Sequence, residues 1–318
     1  MPIYKYENLT HQELASLVRD RTVVLLPTGP LEQHGPHLPL GVDAMTAAYF
    51  GETLAERLLD ARKDWNFILF PTIFAGSDTL TYTGTIEVRP AVLRALIYDC
   101  CKQLARDGFK TIIGINTHGG PRHSIVLDEV AAKVRWRYRA RMINASGRIL
   151  HDVLSGEFIE KIDSFMKNQS APLSSAEKEG LKHDFHGGLL ETSIMMVARP
   201  ELVKPLYKEL KPALVTSFYK LRRTSGRTVG EGLGHLGSPA LARPEIGKAA
   251  VEVLLSDIIP LVDRFLKGEN VYKAFRTKFY YIPFLRTDFR YLAIFAAACL
   301  VMTVMLWVVN VYLLEMFR

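Results

Sequence analysis

The chain has 318 residues, a hydrophobic fraction of 48% and a net charge of +7. That is apolar enough for a real core, and the charge is too modest to argue for a nucleic-acid partner. Its three cysteines exclude a disulfide framework and agree with a reducing compartment.

The first ten residues carry no apolar signal-peptide core, so no export of the N-terminal domain is expected. Thr10 and Glu13 form a capping-box pattern that predicts a short helix through Val18. Residues 22–26 are a compact β-rich run ending at Pro27, the mark of a buried strand. A loop rich in Gly, Pro and His follows over 28–42, and Asp43 then takes an N-cap position before a helix to about residue 59. Residues 67–70 predict a second strand, and Pro90 opens a helix to Arg106. Residues 111–116 predict a third strand, followed by His118-Gly119-Gly120 and a helix from Pro121; 141–145 predict a fourth. Strands alternating with helices give an α/β fold, a doubly wound, mostly parallel sheet with helices on both faces. Arg135, Arg137, Arg139 and Arg141, interleaved with Trp136 and Tyr138, read better as a solvated helix end leading into a strand than as a nucleic-acid or lipid patch. Residues 157–180 are polar and read as a surface insertion. An apolar helical pattern returns over 190–197, residues 236–239 read as a loop, and Pro244–Leu266 predicts a long amphipathic helix.

From 291 to 314 the chain reads YLAIFAAACLVMTVMLWVVNVYLL, with no charge before Glu315. About 20 apolar residues cross a hydrocarbon core, so this run predicts a single-pass C-terminal anchor in the lipid bilayer. A buried core helix would be shorter and more interrupted by polar residues. Arg276, Lys278, Arg286 and Arg290 precede the run and Arg318 follows it, an asymmetry that places the large domain in the cytoplasm. Residues 268–288 are aromatic and basic and are expected near the membrane surface. The organisation is a folded domain over 1–267, a juxtamembrane linker over 268–290 and a transmembrane helix over 291–316.

The densest group of possible ligands, GPLEQHGPHLPLGVD over 29–43, follows the first predicted strand. In doubly wound sheets ligands sit beyond the carboxyl ends of the strands. The first strand places Glu32, His34 and Asp43 there, and the third places His118. Mixed carboxylate and imidazole donors suit Zn²⁺, Mn²⁺ or Fe²⁺ rather than Ca²⁺. Asp43, central among them, is the candidate bridge between two ions about 3.5–4 Å apart. A further cluster is His183-Asp184-Phe185-His186-Gly187-Gly188-Leu189-Leu190-Glu191-Thr192-Ser193. Glu191 could complete a ligand set, and His186, in a Gly-flanked loop, could give or take a proton. Taken singly, each has a bland account, such as a hydrogen-bonded histidine or a glutamate favoured by a helix dipole. The combination carries the functional reading. No G-x-G-x-x-G follows a strand and opens a helix, so a dinucleotide site fails.

These motifs resemble those of the creatininase (creatinine amidohydrolase) family. Residues 29–43 look like its first metal motif, Asn116-Thr117-His118-Gly119-Gly120 like its second, and His186-Gly187-Gly188 through Glu191-Thr192-Ser193 like its His-Ala-Gly…Glu-Thr-Ser signature. Thr83-Gly84-Thr85-Ile86 resembles its Pro-Gly-Thr loop, with Thr83 in place of proline. The resemblance runs from about residue 23 to 266. It implies two divalent metal ions (Zn, Mn or Fe), one held by Glu32, Asp43 and His118, the other by His34, Asp43 and a further carboxylate. Creatininase proper supplies that carboxylate two residues after the second-motif histidine, where this chain has Gly120. The departure weighs against creatinine itself. In the family's His-Gly-Gly branch Glu191 looks like the replacement; that branch includes formamide hydrolases of pyrimidine-containing intermediates and a peptidase that trims a redox-cofactor precursor. The branch commonly has Asn after Gly-Gly, and this chain has Pro121. The implied reaction is hydrolysis of a C–N amide bond in a small-molecule, formamide or peptide-like substrate by a metal-bridging hydroxide. His186 would orient the substrate or protonate the leaving nitrogen; His37 would line the entrance or make a loop hydrogen bond. Family members resemble ring-like homohexamers, so a homo-oligomer docking several anchors in one bilayer is expected. The alternative is a non-catalytic metal- or ligand-binding scaffold at the membrane, disfavoured because a scaffold has no reason to keep a complete ligand set.

Overall fold

The computed structural model describes residues 3–147, 156–216 and 220–316. Its centre is a parallel sheet of β1 (Ile3–Lys5), β2 (Thr22–Gly29), β3 (Asn66–Leu69), β4 (Ile73–Phe74), β5 (Thr111–Asn116) and β6 (Arg141–Asn144). The order is β1-β3-β2-β5-β6, with β4 also paired to β2. Side chains alternate between faces, as a pleated strand requires. Val23, Leu25, Ile113 and Ile115 enter one core, and Val24, Leu26, Ile112 and Met142 the other.

Helices α1 (His11–Ser16), α2 (Val42–Ala61), α3 (Pro90–Arg106) and α4 (Pro121–Tyr138) come first. They are followed by α5 (Glu157–Asn168), α6 (Ser175–Lys182), α7 (Leu189–Ala198), α8 (Ser225–Thr228) and α9 (Pro244–Leu266). The first core joins α2, α5 and α9 to the sheet, and the second joins α3 and α4. The chain leaves β2 toward β3 through α2 and returns to the other side of β2 through α3 and β5. The direction of winding therefore reverses at the β2–β5 pair, the place where doubly wound sheets open a crevice.

Several local expectations need correction. Pro27 does not end β2, which continues to Gly29. Pairing with β3 stops at Leu25↔Leu69 and pairing with β4 starts at Thr28↔Ile73, so Pro27 lies in a gap in the ladder where its missing N–H costs nothing. Asp43 is not the N-cap of α2; Gly41 is, and Asp43 sits in the first turn. The polar segment 157–180 is not a surface insertion. It forms α5 and α6, and Phe158, Ile162 and Met166 bury one helical stripe in the first core. The polar opposite face had hidden that stripe.

The C-terminal segment also packs on the body. Helix α10 (Tyr272–Phe275) and two 3₁₀ turns, Lys278–Tyr281 and Pro283–Leu285, follow α9, with Val271 and Phe275 buried. The arginine run is a helix end, as its pattern suggests. Arg139 closes α4 at φ 55°, Arg135 lies 3.9 Å from the Tyr272 ring centroid, and Arg141 donates to the Phe265 carbonyl at 2.9 Å. Helix α11 (Phe289–Met316) contains the window Ala293–Asn310, of mean hydropathy 2.2, with 0% of it buried. It is therefore no core helix. Among the described residues it alone is long and apolar enough to cross a membrane. Arg318, the basic residue after the apolar run, lies outside the described residues.

Candidate metal centre

The loop after β2 carries Glu32 and His34 to the carboxyl edge of the sheet, the first turn of α2 adds Asp43, and the loop after β5 adds His118. Loop 30–41 is held in shape by backbone bonds, Glu32 N–H to the Leu40 carbonyl (2.8 Å) and Ile86 N–H to the Leu31 carbonyl (2.9 Å). Thr85 braces it further by accepting from Gln33 N–H at 3.2 Å. Glu191 arrives from the first turn of α7, and His186 from the loop before it. Gly187 has φ +56°, and any side chain there would meet the His34 carbonyl oxygen at 2.6 Å. Glycine is what lets the two loops close on each other.

Each ring is set by a backbone carbonyl. His34 donates from Nδ1 to the Glu32 carbonyl (2.9 Å), leaving Nε2 as the lone pair. That Nε2 lies 3.7 Å from Asp43 Oδ2 and 3.6 Å from Glu191 Oε2. His118 donates from Nε2 to the Ser77 carbonyl (3.0 Å), so its Nδ1 faces Glu32 Oε2 at 3.3 Å and Asp43 Oδ2 at 3.4 Å. One oxygen, Asp43 Oδ2, thus faces both rings. Two groups could hold a metal ion: Glu32, Asp43 and His118, and His34, His186 and Glu191, with ligand atoms within 4.8 Å of one another in each.

The donor set has the chemistry of a divalent-cation site. Glu32 Oε2, His34 Nε2 and Asp43 Oδ2 are buried without a hydrogen-bond partner. Each such orphan costs about 1–3 kcal/mol, more when charged. Burial alone would push the two histidines down, yet the carboxylates around them overcome it: Asp43 and Glu191 raise His34 to about 10, and Asp43 and Glu32 raise His118 to about 9. Burial, reinforced by Asp43, raises Glu32 to about 7 against the pull of His118. Imidazoles and carboxylates that perturb one another this strongly, with ligand atoms within 4.8 Å, fit a divalent ion.

His186 stacks on His34 with centroids 4.0 Å apart and hydrogen-bonds through Nε2 to the Gln33 carbonyl. Burial, then the neighbouring His34, holds its pKa well below the usual value, so the ring is neutral. His37 does not line the entrance. It is fully buried, and its Nε2 bonds Thr192 on α7 at 2.8 Å. A cavity of about 230 Å³ opens over Glu32, His118, His186 and Glu191. Its far wall is apolar, with Phe158, Ile194 and Leu254 from α5, α7 and α9.

Gly120 answers the departure noted in the sequence. A side chain there would strike the His118 ring and, at 2.6 Å, the Ser77 carbonyl. A carboxylate-bearing side chain there would require the His118 ring and the Ser77 backbone to shift, and Glu191 Oε2 lies 3.6 Å from His34 Nε2. The family model for creatininase, creatinine amidohydrolase, matches residues 7–262. The chain belongs to the creatininase family. A mycofactocin precursor peptide peptidase of Mycobacterium ulcerans (strain Agy99) is 26% identical over 263 residues, 78% of this chain and 87% of its own. A creatinine amidohydrolase of Pseudomonas putida is 26% identical over 246 residues, 74% of this chain and 86% of its own. A solved creatininase described as a Mn form covers 83% of this chain and 99% of its own at TM-score 0.58 and 19% identity. A mutant creatininase described as Zn-Zn type covers 84% and 99% at the same TM-score and identity. The chain therefore has the creatininase fold.

Sequence reading missed the residues that hold this creatininase-like site in place. Leu80 N–H donates to Glu32 Oε1 at 2.5 Å, and Asp78 accepts from Arg122 N–H at the start of α4 (2.8 Å). Asp184 accepts from the N–H groups of Leu189 and Leu190 at 2.7 Å, anchoring the start of α7 beneath Glu191. Buried His123 bonds Thr28 at 2.9 Å behind His118. Most of these act through backbone groups in irregular loops, which carry no periodic signal; Asp184 alone lay inside a motif already noticed.

Proposed function

We propose that this creatininase-family chain is a membrane-anchored amidohydrolase that uses two divalent ions to cleave a C–N amide bond in a cyclic amide, a formamide or a short peptide. One observation carries the reading: buried Asp43 turns a single unpartnered oxygen toward both His34 and His118 beneath a cavity. Glu32, Asp43 and His118 would hold one ion; His34, Asp43 and Glu191 would hold the other. Zn, Mn and Fe all match such donors. Bound there, the ions supply Lewis-acid polarisation of an amide carbonyl and acidification of water.

The remaining work falls to the chain. The carbonyls of Glu32 and Ser77 orient the rings of His34 and His118, so His34 Nε2 and His118 Nδ1 are already in position for a metal that displaces their second protons. His186 lines the cavity in its neutral form with Nε2–H already committed, which leaves Nδ1 to accept a hydrogen bond from a substrate N–H. That favours the orienting role over the proton-donating one. Phe158, Ile194 and Leu254 exclude water from the far wall and accommodate an apolar part of the substrate. Helix α11 anchors the body, and the basic residues before it support a cytoplasmic orientation. A homo-oligomer would place several anchors in one bilayer.

The test uses one preparation of full-length protein, purified in detergent from metal-replete cells. Elemental analysis is paired with assays on cyclic amides, formamides and short peptides. Two first-row ions per chain and turnover of one class, abolished by a chelator and restored by metal, support the proposal. Metal-free, inactive protein from such cells returns the reading to the scaffold alternative.

A further inference from the structure

The segment between α9 and α11 is bolted to α4 at two points. Thr277 N–H donates to Asp128 at 2.9 Å, and Thr287 donates to Glu129 from its N–H at 2.9 Å and from its hydroxyl. Both carboxylates are buried, at 5% and 7% exposure, and so is Thr277 at 1%. Losing a buried partner of this kind costs about 1–3 kcal/mol. Val271 and Phe275 close the near end of the segment into the core.

What the bolts hold outward is aromatic. Tyr281 is 60% exposed, Phe284 65% and Phe289 38%. A free-standing Phe forgoes about 1.5–3 kcal/mol of burial, and three within nine residues make a patch that water does not favour. Phe289 is also the first residue of α11, and the apolar window starts at Ala293, about one helical turn later. The chain passes from the second bolt into the span without slack. Aromatic rings at the ends of spans settle at headgroup level. The guanidinium of Arg276, 4.6 Å from the Tyr280 ring centroid, adds positive charge on the same segment, which anionic headgroups attract, whereas Arg286 is paired with Asp288 at 2.5 Å.

We propose that residues 277–289 form a rigid seat lying in the bilayer interface, with Tyr281, Phe284 and Phe289 as its lipid-contacting side chains. The body then keeps a fixed attitude to the membrane instead of swinging on a free tether. The helix that carries both bolts, α4, starts at Pro121 in the wall of the cavity. Seat and cavity therefore share one rigid element. This inference rests on the reading of α11 as a membrane anchor.

The experiment places the photo-crosslinking residue benzoylphenylalanine at Phe284, and separately at Trp307 within the span, in the full chain reconstituted in phosphatidylcholine–phosphatidylglycerol vesicles. Mass spectrometry reads the adducts. Lipid adducts at both positions in comparable yield are expected, with the yield at 284, but not at 307, falling in a Glu129→Ala background. Adducts at 307 without adducts at 284 overturn the seat and leave the anchor standing. Adducts at 284 to a second copy of the chain overturn the seat in favour of a protein interface. Adducts at neither position overturn the anchor and the seat together. Undiminished yield at 284 in the Glu129→Ala background overturns the bolted geometry even if lipid contact is real.

Discussion

At Asp43 a single carboxylate oxygen faces two imidazole rings, which makes it the first atom to test in the candidate centre. Asp43→Asn keeps the shape and removes the charge. Bound metal is expected to fall below two ions per chain by elemental analysis. kcat/KM should fall by more than about 100-fold, beyond what loss of an outer partner typically costs. Gly120→Ala tests the orientation of His118 without touching a ligand. The added carbon pushes on the ring and on the Ser77 carbonyl, so metal affinity should drop about 10–100-fold in competition with a chelator. Affinity equal to the parent's would show that the Ser77 bond does not set the ring. His186→Ala separates two roles. If His186 orients substrate, kcat/KM falls by about 10²-fold while both ions stay bound; loss of an ion would instead make His186 a ligand, the grouping in which it stands with His34 and Glu191.

Helix α4 joins the cavity wall at one end to the C-terminal segment along its length, and its buried Asp128 gives it a pH signature. Burial holds the Asp128 carboxyl up at about 7, against the opposing pull of Thr277 N–H and Arg276. A raised carboxyl contributes stability that is fully present below its unfolded value of about 3.9 and is lost as pH rises through about 7. Asp128→Asn keeps an acceptor for Thr277 and cannot ionise. Relative to the parent, the variant's Tm should therefore climb between pH 4 and pH 8. For a domain of this size each 1 kcal/mol is worth about 2–4 °C. A Tm difference that stays constant across that range would contradict a buried, titrating Asp128. The same helix shows how propensity and packing divide the work: Pro121 sets its first turn, as proline does wherever a free N–H is not needed, but Asp78, from a distant loop, supplies the acceptor for Arg122 N–H.

For the whole molecule, the fully exposed apolar window of α11 predicts that the full chain stays with the membrane pellet through alkaline carbonate extraction. Release into the supernatant would remove the anchor from the proposal. The long apolar C-terminal helix, the βα alternation and the donor-rich loops could all be read in the sequence, because each is a local pattern: an unbroken apolar run, a change of hydrophobic period, a cluster of Glu, His and Asp after a strand. Pro90–Arg106, Thr111–Asn116 and Pro244–Leu266 keep their expected bounds, since proline at a first turn and a compact β-branched run are decided by neighbours in the chain. Residues 157–180 and the continuation of β2 past Pro27 were decided by partners far away, namely α9 and a gap in the sheet ladder. The residue types that the fold gathers at the candidate centre were legible; which atoms face one another was not. That is set by carbonyls of Glu32 and Ser77, an N–H of Leu80 and the bare backbone of Gly187, groups that every residue carries and that only the closed fold brings within reach.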